Sequence, residues 1–523
     1  MLKYTDYDIV FQEIPDEVTL AINLSNCPNR CKGCHSPYLQ QNVGEALTEE
    51  NLSVLLQKYG KAVTCVCFMG GDADPYDVAY FANFLQQQQI APVKVGWYSG
   101  KQELPDGFPI RNFQYIKLGP MKYIIVLGDG MADEPIGKLG GRTPLQSADT
   151  PAMDWLAAHG RCGLLKTVPD GYHPGSEIAN LSVLGYDLDR VFEGRGSLEA
   201  ASMGVDIESG EMAMRCNLVC IENGRIKNHS AGHISTAEAA ELIDFLQEEL
   251  GGEDANFFRG VSYRHLLKLK GGDKRVDCTP PHDVPGTLFR EVMVRSLVPE
   301  AVPTADRLNE LILRSQQILP SHPVNRKRVA EGKDPANSIW PWSPGYKPRM
   351  ETLAERYGIK SGVVISAVDL IRGIGVYAGL RPVEVEGATG LYDTNYEGKV
   401  QAAIEALHTH DFVYLHIEAS DEAGHEGDVD LKVRTVEYLD HRVLKPLIDA
   451  VSRMSDSVTI ALLPDHPTPC RLRTHTAEPV PFVIYKSGVE PDGVTRYSES
   501  DVAGGAYGVL VGEQFIKEFF RKN

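Results

Sequence analysis

Three apolar runs, Tyr123 to Leu127, Phe412 to Ile417 and Val458 to Leu463, read as buried parallel strands, and each gives way to a turn carrying Asp or His. Strands with so few polar positions are covered on both faces, which commits the chain to an α/β sheet flanked by helices. In such sheets ligands bind in the crevice beyond the carboxyl ends of the strands. The turns are Leu127-Gly-Asp129-Gly-Met-Ala-Asp133, Ala419-Ser-Asp421-Glu-Ala-Gly-His425 and Pro464-Asp465-His466, with His475 nine residues on. A fourth segment, Pro174-Gly-Ser176-Glu-Ile-Ala-Asn180, sets a serine after a Pro-Gly pair and opens an apolar-periodic stretch, Ile178 to Leu184, whose spacing predicts a helix.

Taken singly these residues have ordinary readings. Asp129 fits a turn or cap, Ser176 an N-cap, and Asp421 with His425 a surface pair one helical turn apart. Their recurrence after three separate strands points instead to a shared metal site. Asp oxygens with His nitrogens suit Mn²⁺ or Zn²⁺, whereas an all-oxygen set would suit Mg²⁺ or Ca²⁺. Two such ions clamp the attacking and leaving oxygens of an in-line phosphoryl displacement. Ser176 supplies a nucleophile at a helix start, where free N–H groups and the dipole favour an anion.

From Met121 to about Asn523 the chain resembles the archaeal-type, cofactor-independent phosphoglycerate mutases of the alkaline phosphatase superfamily. Besides the four segments above, the likeness is carried by Gly194-Arg-Gly-Ser-Leu-Glu-Ala200, Ser230-Ala-Gly-His-Ile-Ser235, Tyr263-Arg-His-Leu-Leu267, Cys278-Thr-Pro-Pro-His-Asp283 and Gly387-Ala-Thr-Gly390. The resemblance implies an alkaline-phosphatase-like α/β sandwich with a mainly parallel sheet. It implies two divalent ions, Mn²⁺ foremost with Zn²⁺ or Mg²⁺ as alternatives. One would be held by Asp421, His425 and His475, the other by Asp129, Ser176, Asp465 and His466. Glu177 departs from the Asp expected after the nucleophile. The implied reaction is a phosphoserine relay on Ser176 between 3- and 2-phosphoglycerate, with Asp283 or His282 moving a proton. Close relatives proposed as homoserine kinases, and metal-dependent phosphatases or phosphopentomutases, share the same core and stand as alternatives. No Walker-type phosphate loop is present, which weighs against ATP use.

Within this part, residues 121–197 and 345–523 read as the metal-binding core, with Ser361 to Ala367 as a strand on the return. Residues 198–344 read as an inserted α/β substrate domain with helices at Thr236 to Leu250 and Thr304 to Ile318. Arg195, His233, Arg264, His265, His282 and Asp283 are candidate substrate residues, Arg by bidentate pairing to phosphate or carboxylate. The Pro-rich stretch from Pro320 to Pro344 reads as a hinge or active-site loop whose tryptophans want burial.

The first 120 residues differ in character. Cys27, Cys31 and Cys34 lie in a C-x3-C-x2-C spacing after an alternating segment, Val18 to Leu24. Three thiolates can hold three irons of a [4Fe–4S] cluster and leave the fourth open; a zinc knot completed by His35, Cys65 or Cys67 is the alternative. A strand, Val63 to Phe68, runs into Met69-Gly70-Gly71-Asp72, where small residues would let a cofactor approach the backbone. This unit resembles the radical S-adenosylmethionine activating proteins of anaerobic ribonucleoside-triphosphate reductase, cut short after Leu118-Gly-Pro120. The resemblance implies a [4Fe–4S] cluster, S-adenosylmethionine near Gly70, Gly71 and Asp72, and a reductase partner. Met121 follows directly, with no linker.

At 523 residues and 43% hydrophobic, the chain can fill about three ordinary domains. A formal charge of −19 argues against nucleic acid or an anionic membrane as partner, so a small anionic substrate needs a site made locally positive by metals and arginines. No apolar run of membrane-spanning length and no basic-then-apolar leader is present, so a cytoplasmic location is expected. Ten cysteines without a paired framework spacing suit a reducing compartment.

Overall fold

The computed structural model describes residues 2–10, 18–28, 37–60, 62–87, 94–99, 113–117, 121–454 and 456–521. The largest sheet has eight strands in the order Arg381–Val383, Gly362–Ile365, Phe412–Ile417, Lys122–Gly128, Val458–Leu463, Val480–Lys486, Arg161–Lys166 and Gly508–Val511. The first five run parallel, Val480–Lys486 is antiparallel to both its neighbours, and Gly508–Val511 runs parallel to Arg161–Lys166. The three expected strands are adjacent at its centre. Alternation explains their apolar composition. Tyr123, Ile125 and Leu127 pack into the core on one face, and Ile124 and Val126 into the core on the other. Each fully buried Ile or Leu is worth about 1.5–3 kcal/mol, so two covered faces hold these strands firmly.

A second, antiparallel sheet joins Arg225–Asn228, Glu211–Glu222, Arg264–Lys270 and Ala255–Val261, with Ser338–Gly345 also paired to Glu211–Glu222. Met212, Met214, Cys216 and Leu218 face the helices Thr236–Leu250 and Val302–Ile318, whose Leu242, Leu246, Leu308 and Ile312 complete a core. The first of these helices starts with a capping box of Ser235 and Glu238. The opposite face carries Arg215 and Asn217. There the helix Arg195–Ser202 lies against Ala213 and Leu266, and it also packs on the helix Asp369–Tyr377 of the larger sheet. A Cβ on Gly373 would fall 1.9 Å from the Leu198 carbonyl oxygen, so only glycine allows this contact.

The Pro320 to Pro344 segment is not a loop. Pro323–Ala330 is helical and Ser338–Gly345 is a strand that pairs on one side only, an edge position where Pro341 and Pro344 forfeit no ladder hydrogen bond. Trp340 and Trp342 are buried, as the sequence required.

The amino-terminal residues form a six-stranded sheet in the order Glu45–Ala46, Lys3–Val10, Thr19–Leu24, Cys65–Gly70, Lys94–Ser99, Phe113–Lys117, the last four parallel. The helices Glu49–Tyr59 and Pro75–Gln87 accompany it. Among the described residues, no helix is long and apolar enough to cross a membrane.

Candidate active site

Asp129, Asp421 and the Asp465–His466 pair sit just past the carboxyl ends of three adjacent central strands, which is why residues more than 300 positions apart meet. Gly130, at φ 60°, brings two of these turns together: a Cβ there would lie 2.6 Å from the Asp421 Cα. Ser176 opens the helix Ser176–Val183, with Gly175 as its N-cap. The serine makes no capping bond. Its Oγ lies 3.2 Å from His466 Nε2. Asp421 is 5% exposed, so it is no surface residue.

Two groups of donors result. His425 Nε2 and His475 Nε2 are 2.9 Å apart, and each is within 3.4 Å of an oxygen of Asp421. His425 Nδ1 donates to the Arg473 carbonyl oxygen at 3.0 Å, so Nε2 is the atom turned toward Asp421 and His475. Two imidazole nitrogens and a carboxylate oxygen this close form a set that could share one cation. In the second group His466 Nε2 stands 3.4 Å from Asp465 Oδ2 and 3.8 Å from Asp129 Oδ1. Asp129 Oδ1 is buried with no hydrogen-bond partner, an acceptor left open for a bound group. Donor atoms of Asp421, His425 and His475 lie within 4.8 Å of one another, as do those of Asp129, Asp421 and His466, so the groups abut at Asp421.

The electrostatics match a site built for cations. Burial and the charges of Asp465, Asp421 and Glu418 push the Asp129 carboxyl well above its usual range. Asp421 goes the other way: against the burial that would raise it, hydrogen bonds from His425 and His475 hold it well below. The Asp421 carboxylate raises His425 to about 9, and burial lowers His466. Glu418, at the edge of the cluster, is raised to about 8 by burial and by Asp421.

Comparison with known proteins agrees with this geometry. The family model for 2,3-bisphosphoglycerate-independent phosphoglycerate mutase matches residues 157–325. The mutase of that name from Methanosarcina acetivorans is 51% identical over 399 residues, covering 76% of this chain and 98% of that protein. The chain belongs to the 2,3-bisphosphoglycerate-independent phosphoglycerate mutase family. A probable mutase from Geobacter sulfurreducens is also 51% identical, over 384 residues, 72% of this chain and 94% of that protein. Among solved structures, the PH0037 protein of Pyrococcus horikoshii superposes with a TM-score of 0.65 at 29% identity, covering 78% of this chain and 99% of that one. The cofactor-independent phosphoglycerate mutase of Thermoplasma acidophilum gives 0.55 at 27%, covering 77% and 99%.

The mutase-family part has a second cluster on the exposed face of the antiparallel sheet. Arg195, Arg215, Asn217, His229, Tyr263, His282 and Trp342 line a cavity of about 280 Å³. Arg215 Nη1 bonds Glu199 at 2.9 Å, while the Nε atoms of Arg195 and Arg215 are buried without partners. Of the sequence candidates, Arg195 and His282 line this cavity. Asp283 lies 3.6 Å from His282, whereas Arg264 and His233 are exposed outside the lining. His265 is excluded from it. It pairs opposite Cys216 on the helix-covered face, where its Nδ1 accepts from the Gly260 N–H at 3.0 Å. The odd and even residues of one strand thus serve different faces.

Several residues were missed. His416 hides in an apolar run, although a histidine in a buried strand needs a partner and so is itself a signal. Asn180 lies in the serine segment without a signal of its own; its amide donates to Asp465 Oδ2 at 3.0 Å and to the Ser176 carbonyl, and its Oδ1 accepts from the Tyr414 hydroxyl. Arg215, His229 and Trp342 converge only through sheet register.

In the amino-terminal unit Cys27 Sγ is 4.0 Å from Asp72 Oδ2, and Asp72 also accepts from the Ser99 hydroxyl. Cys31 and Cys34 lie outside the described residues. Gly70 and Gly71 have positive φ, but the space beside Gly71 is occupied by Leu24 and Val78, so its small size serves the chain's own packing.

Proposed function

We propose that the chain interconverts 3- and 2-phosphoglycerate through a phosphoserine at Ser176, with two divalent cations, Mn²⁺ foremost. The observation that carries this is the convergence of Ser176 Oγ, His466 Nε2 and the orphaned Asp129 Oδ1 beside the paired Nε2 atoms of His425 and His475. Asp421, His425 and His475 would hold one ion, and Asp129, Ser176, Asp465 and His466 the other. When bound, the ions neutralise phosphoryl oxygens and make the serine hydroxyl a better nucleophile. Ser176 Oγ forms its bond to phosphorus as the bond to one glycerate oxygen breaks. That oxygen takes up the proton the serine hydroxyl gives up; in the second step the other glycerate hydroxyl forms its bond to phosphorus as the Ser176 Oγ–phosphorus bond breaks, and its proton returns to Oγ. Asn180 keeps Asp465 in place and ties it to the serine turn.

The inserted unit, residues 198–344, would hold the glycerate. The free Nε donors of Arg195 and Arg215 suit its carboxylate, and excluding water there keeps the phosphoserine from hydrolysis. Burial keeps His282 below the usual imidazole range, which supports it, with Asp283 beside it, as the proton carrier. The test is Ser176→Ala assayed with 3-phosphoglycerate, and in parallel with homoserine plus ATP, each with Mn²⁺. Mutase turnover in the parent protein and its loss in the variant are expected. Turnover of homoserine alone would overturn the assignment.

For the amino-terminal unit we infer that Cys27, Cys31 and Cys34 take up a [4Fe–4S] cluster able to bind S-adenosylmethionine. The trithiol spacing supports this, and so does the placing of Cys27 beside Asp72. Anaerobic reconstitution with iron and sulfide should give cluster absorbance. Tightly held zinc in its place would refute the reading.

A further inference from the structure

A hydrogen-bonded chain that the metal ligands themselves do not explain runs from the turn after Gly362–Ile365 through the strand Phe412–Ile417 to the turn after Lys122–Gly128. The Val368 N–H donates to Ser366 Oγ at 3.0 Å, Ser366 Oγ lies 3.2 Å from His416 Nδ1, and His416 Nε2 lies 3.0 Å from Asp129 Oδ2. Ser366, His416 and Asp129 come from the ends of three neighbouring strands, and all are buried, His416 and Asp129 almost completely. As a carboxylate Asp129 can only accept, and the Ser366 hydroxyl, which accepts from Val368, still has its own proton to give to His416 Nδ1. Nδ1 is then the acceptor, the ring proton resides on Nε2, and Nε2 donates to Asp129 Oδ2.

The Asp129 backbone is pinned independently. Its N–H donates to the Ile417 carbonyl at 2.9 Å, and its carbonyl accepts from the Ser420 hydroxyl at 2.6 Å. With the main chain fixed, the rotation of the carboxylate is the remaining freedom, and His416 removes it by occupying one oxygen. The other, Oδ1, is the buried atom without a partner.

We propose that His416, held in one tautomer by Ser366, is a positioning residue that fixes the Asp129 carboxylate so that Oδ1 alone is presented to the cation. This rests on the metal reading above. Asp129, His416 and Asp465 also have donor atoms within 4.8 Å of one another. Because the Nε2 proton is engaged with Oδ2, the geometry assigns His416 to orientation and not to ligation.

The experiment is titration of the metal-free full chain with Mn²⁺, following free Mn²⁺ by its paramagnetic signal, so that the readout does not depend on turnover. The parent protein should bind two ions. His416→Phe should weaken one of them by about 10- to 100-fold, the usual effect of removing a residue that orients a ligand, and leave the other within about twofold. His416→Gln, which keeps an N–H donor, should recover most of the loss, and Ser366→Ala should fall between. Thermal unfolding of the metal-free variants checks that the fold persists; if His416→Phe does not fold, the Gln and Ser366→Ala variants carry the test. Unchanged affinities, or equal weakening at both sites, would overturn the inference. So would a third ion in the parent protein that His416→Phe removes, since His416 would then be a ligand. A parent protein that binds no Mn²⁺ would overturn the metal reading itself, a result distinct from the others.

Discussion

Removing the Lys432 ammonium should destabilise the chain more than any surface charge change. Lys432 and Asp133 are fully buried, 2.9 Å apart, and Lys432 Nζ also donates to the carbonyls of Ala132 at 3.2 Å and Thr468 at 2.6 Å. Asp133 Oδ2 additionally accepts from the Cys470 N–H at 3.0 Å. The pair therefore ties the turn after Asp129 to the segment after His466. Lys432→Met removes three charge-assisted bonds and strands a buried carboxylate, a loss of about 3–5 kcal/mol. In Lys432→Met/Asp133→Asn the uncompensated charge is gone, so the double variant should be less destabilised than the sum of the single ones, a coupling of about 1–3 kcal/mol. Lys138–Asp430, which is closer at 2.6 Å but 58% and 63% exposed, is the internal control; its removal should change stability by less than about 1 kcal/mol. Urea unfolding of the four variants and the parent, followed by tryptophan fluorescence, gives the differences. A loss under about 1 kcal/mol for Lys432→Met, or strict additivity in the double variant, would refute the reasoning.

Burial holds His265 down at about 4, whereas the unfolded chain takes up that proton near about 6.5. Its contribution is therefore complete above about 6.5 and falls away as the pH drops toward 4, by up to about 3 kcal/mol. His265→Asn, which keeps an acceptor for the Gly260 N–H but cannot titrate, should show a flatter stability profile between those pH values; parallel profiles by urea titration would contradict this. Arg195→Lys should raise KM for phosphoglycerate by roughly tenfold with a smaller change in kcat, because the bidentate donor geometry is lost; an unchanged KM would remove Arg195 from substrate binding.

Legibility in the sequence followed the physics of each element. The central strands could be read because a doubly covered strand admits few polar residues, and the ligand turns because chemistry concentrates where those strands end. Phe412–Ile417 and Val458–Leu463 begin and end where the apolar runs do. The edge strand Ser338–Gly345 was misread because its prolines look like loop signals, although an edge strand tolerates them on its unpaired side. The cavity around Arg215 and Trp342 depends on the pairing of Trp342 with Arg215, a tertiary register no local pattern encodes. The same register sends His265 to the opposite face from its neighbour Arg264, so adjacent candidates in one motif have different fates. Lys432 and His416 were passed over because a lone charge on a helix, or a histidine in an apolar run, acquires meaning only when its buried partner is known.

The central claim is that the phosphoryl group passes through Ser176 with the help of bound cations. Acid quenching of the Mn²⁺-loaded protein during turnover of 3-phosphoglycerate, followed by peptide mass analysis, tests it most directly. One phosphoryl group on the peptide bearing Ser176 is predicted, absent from Ser176→Ala and from protein stripped of metal by a chelator. Turnover with no phosphorylated Ser176, or with the label on another residue, would contradict the account.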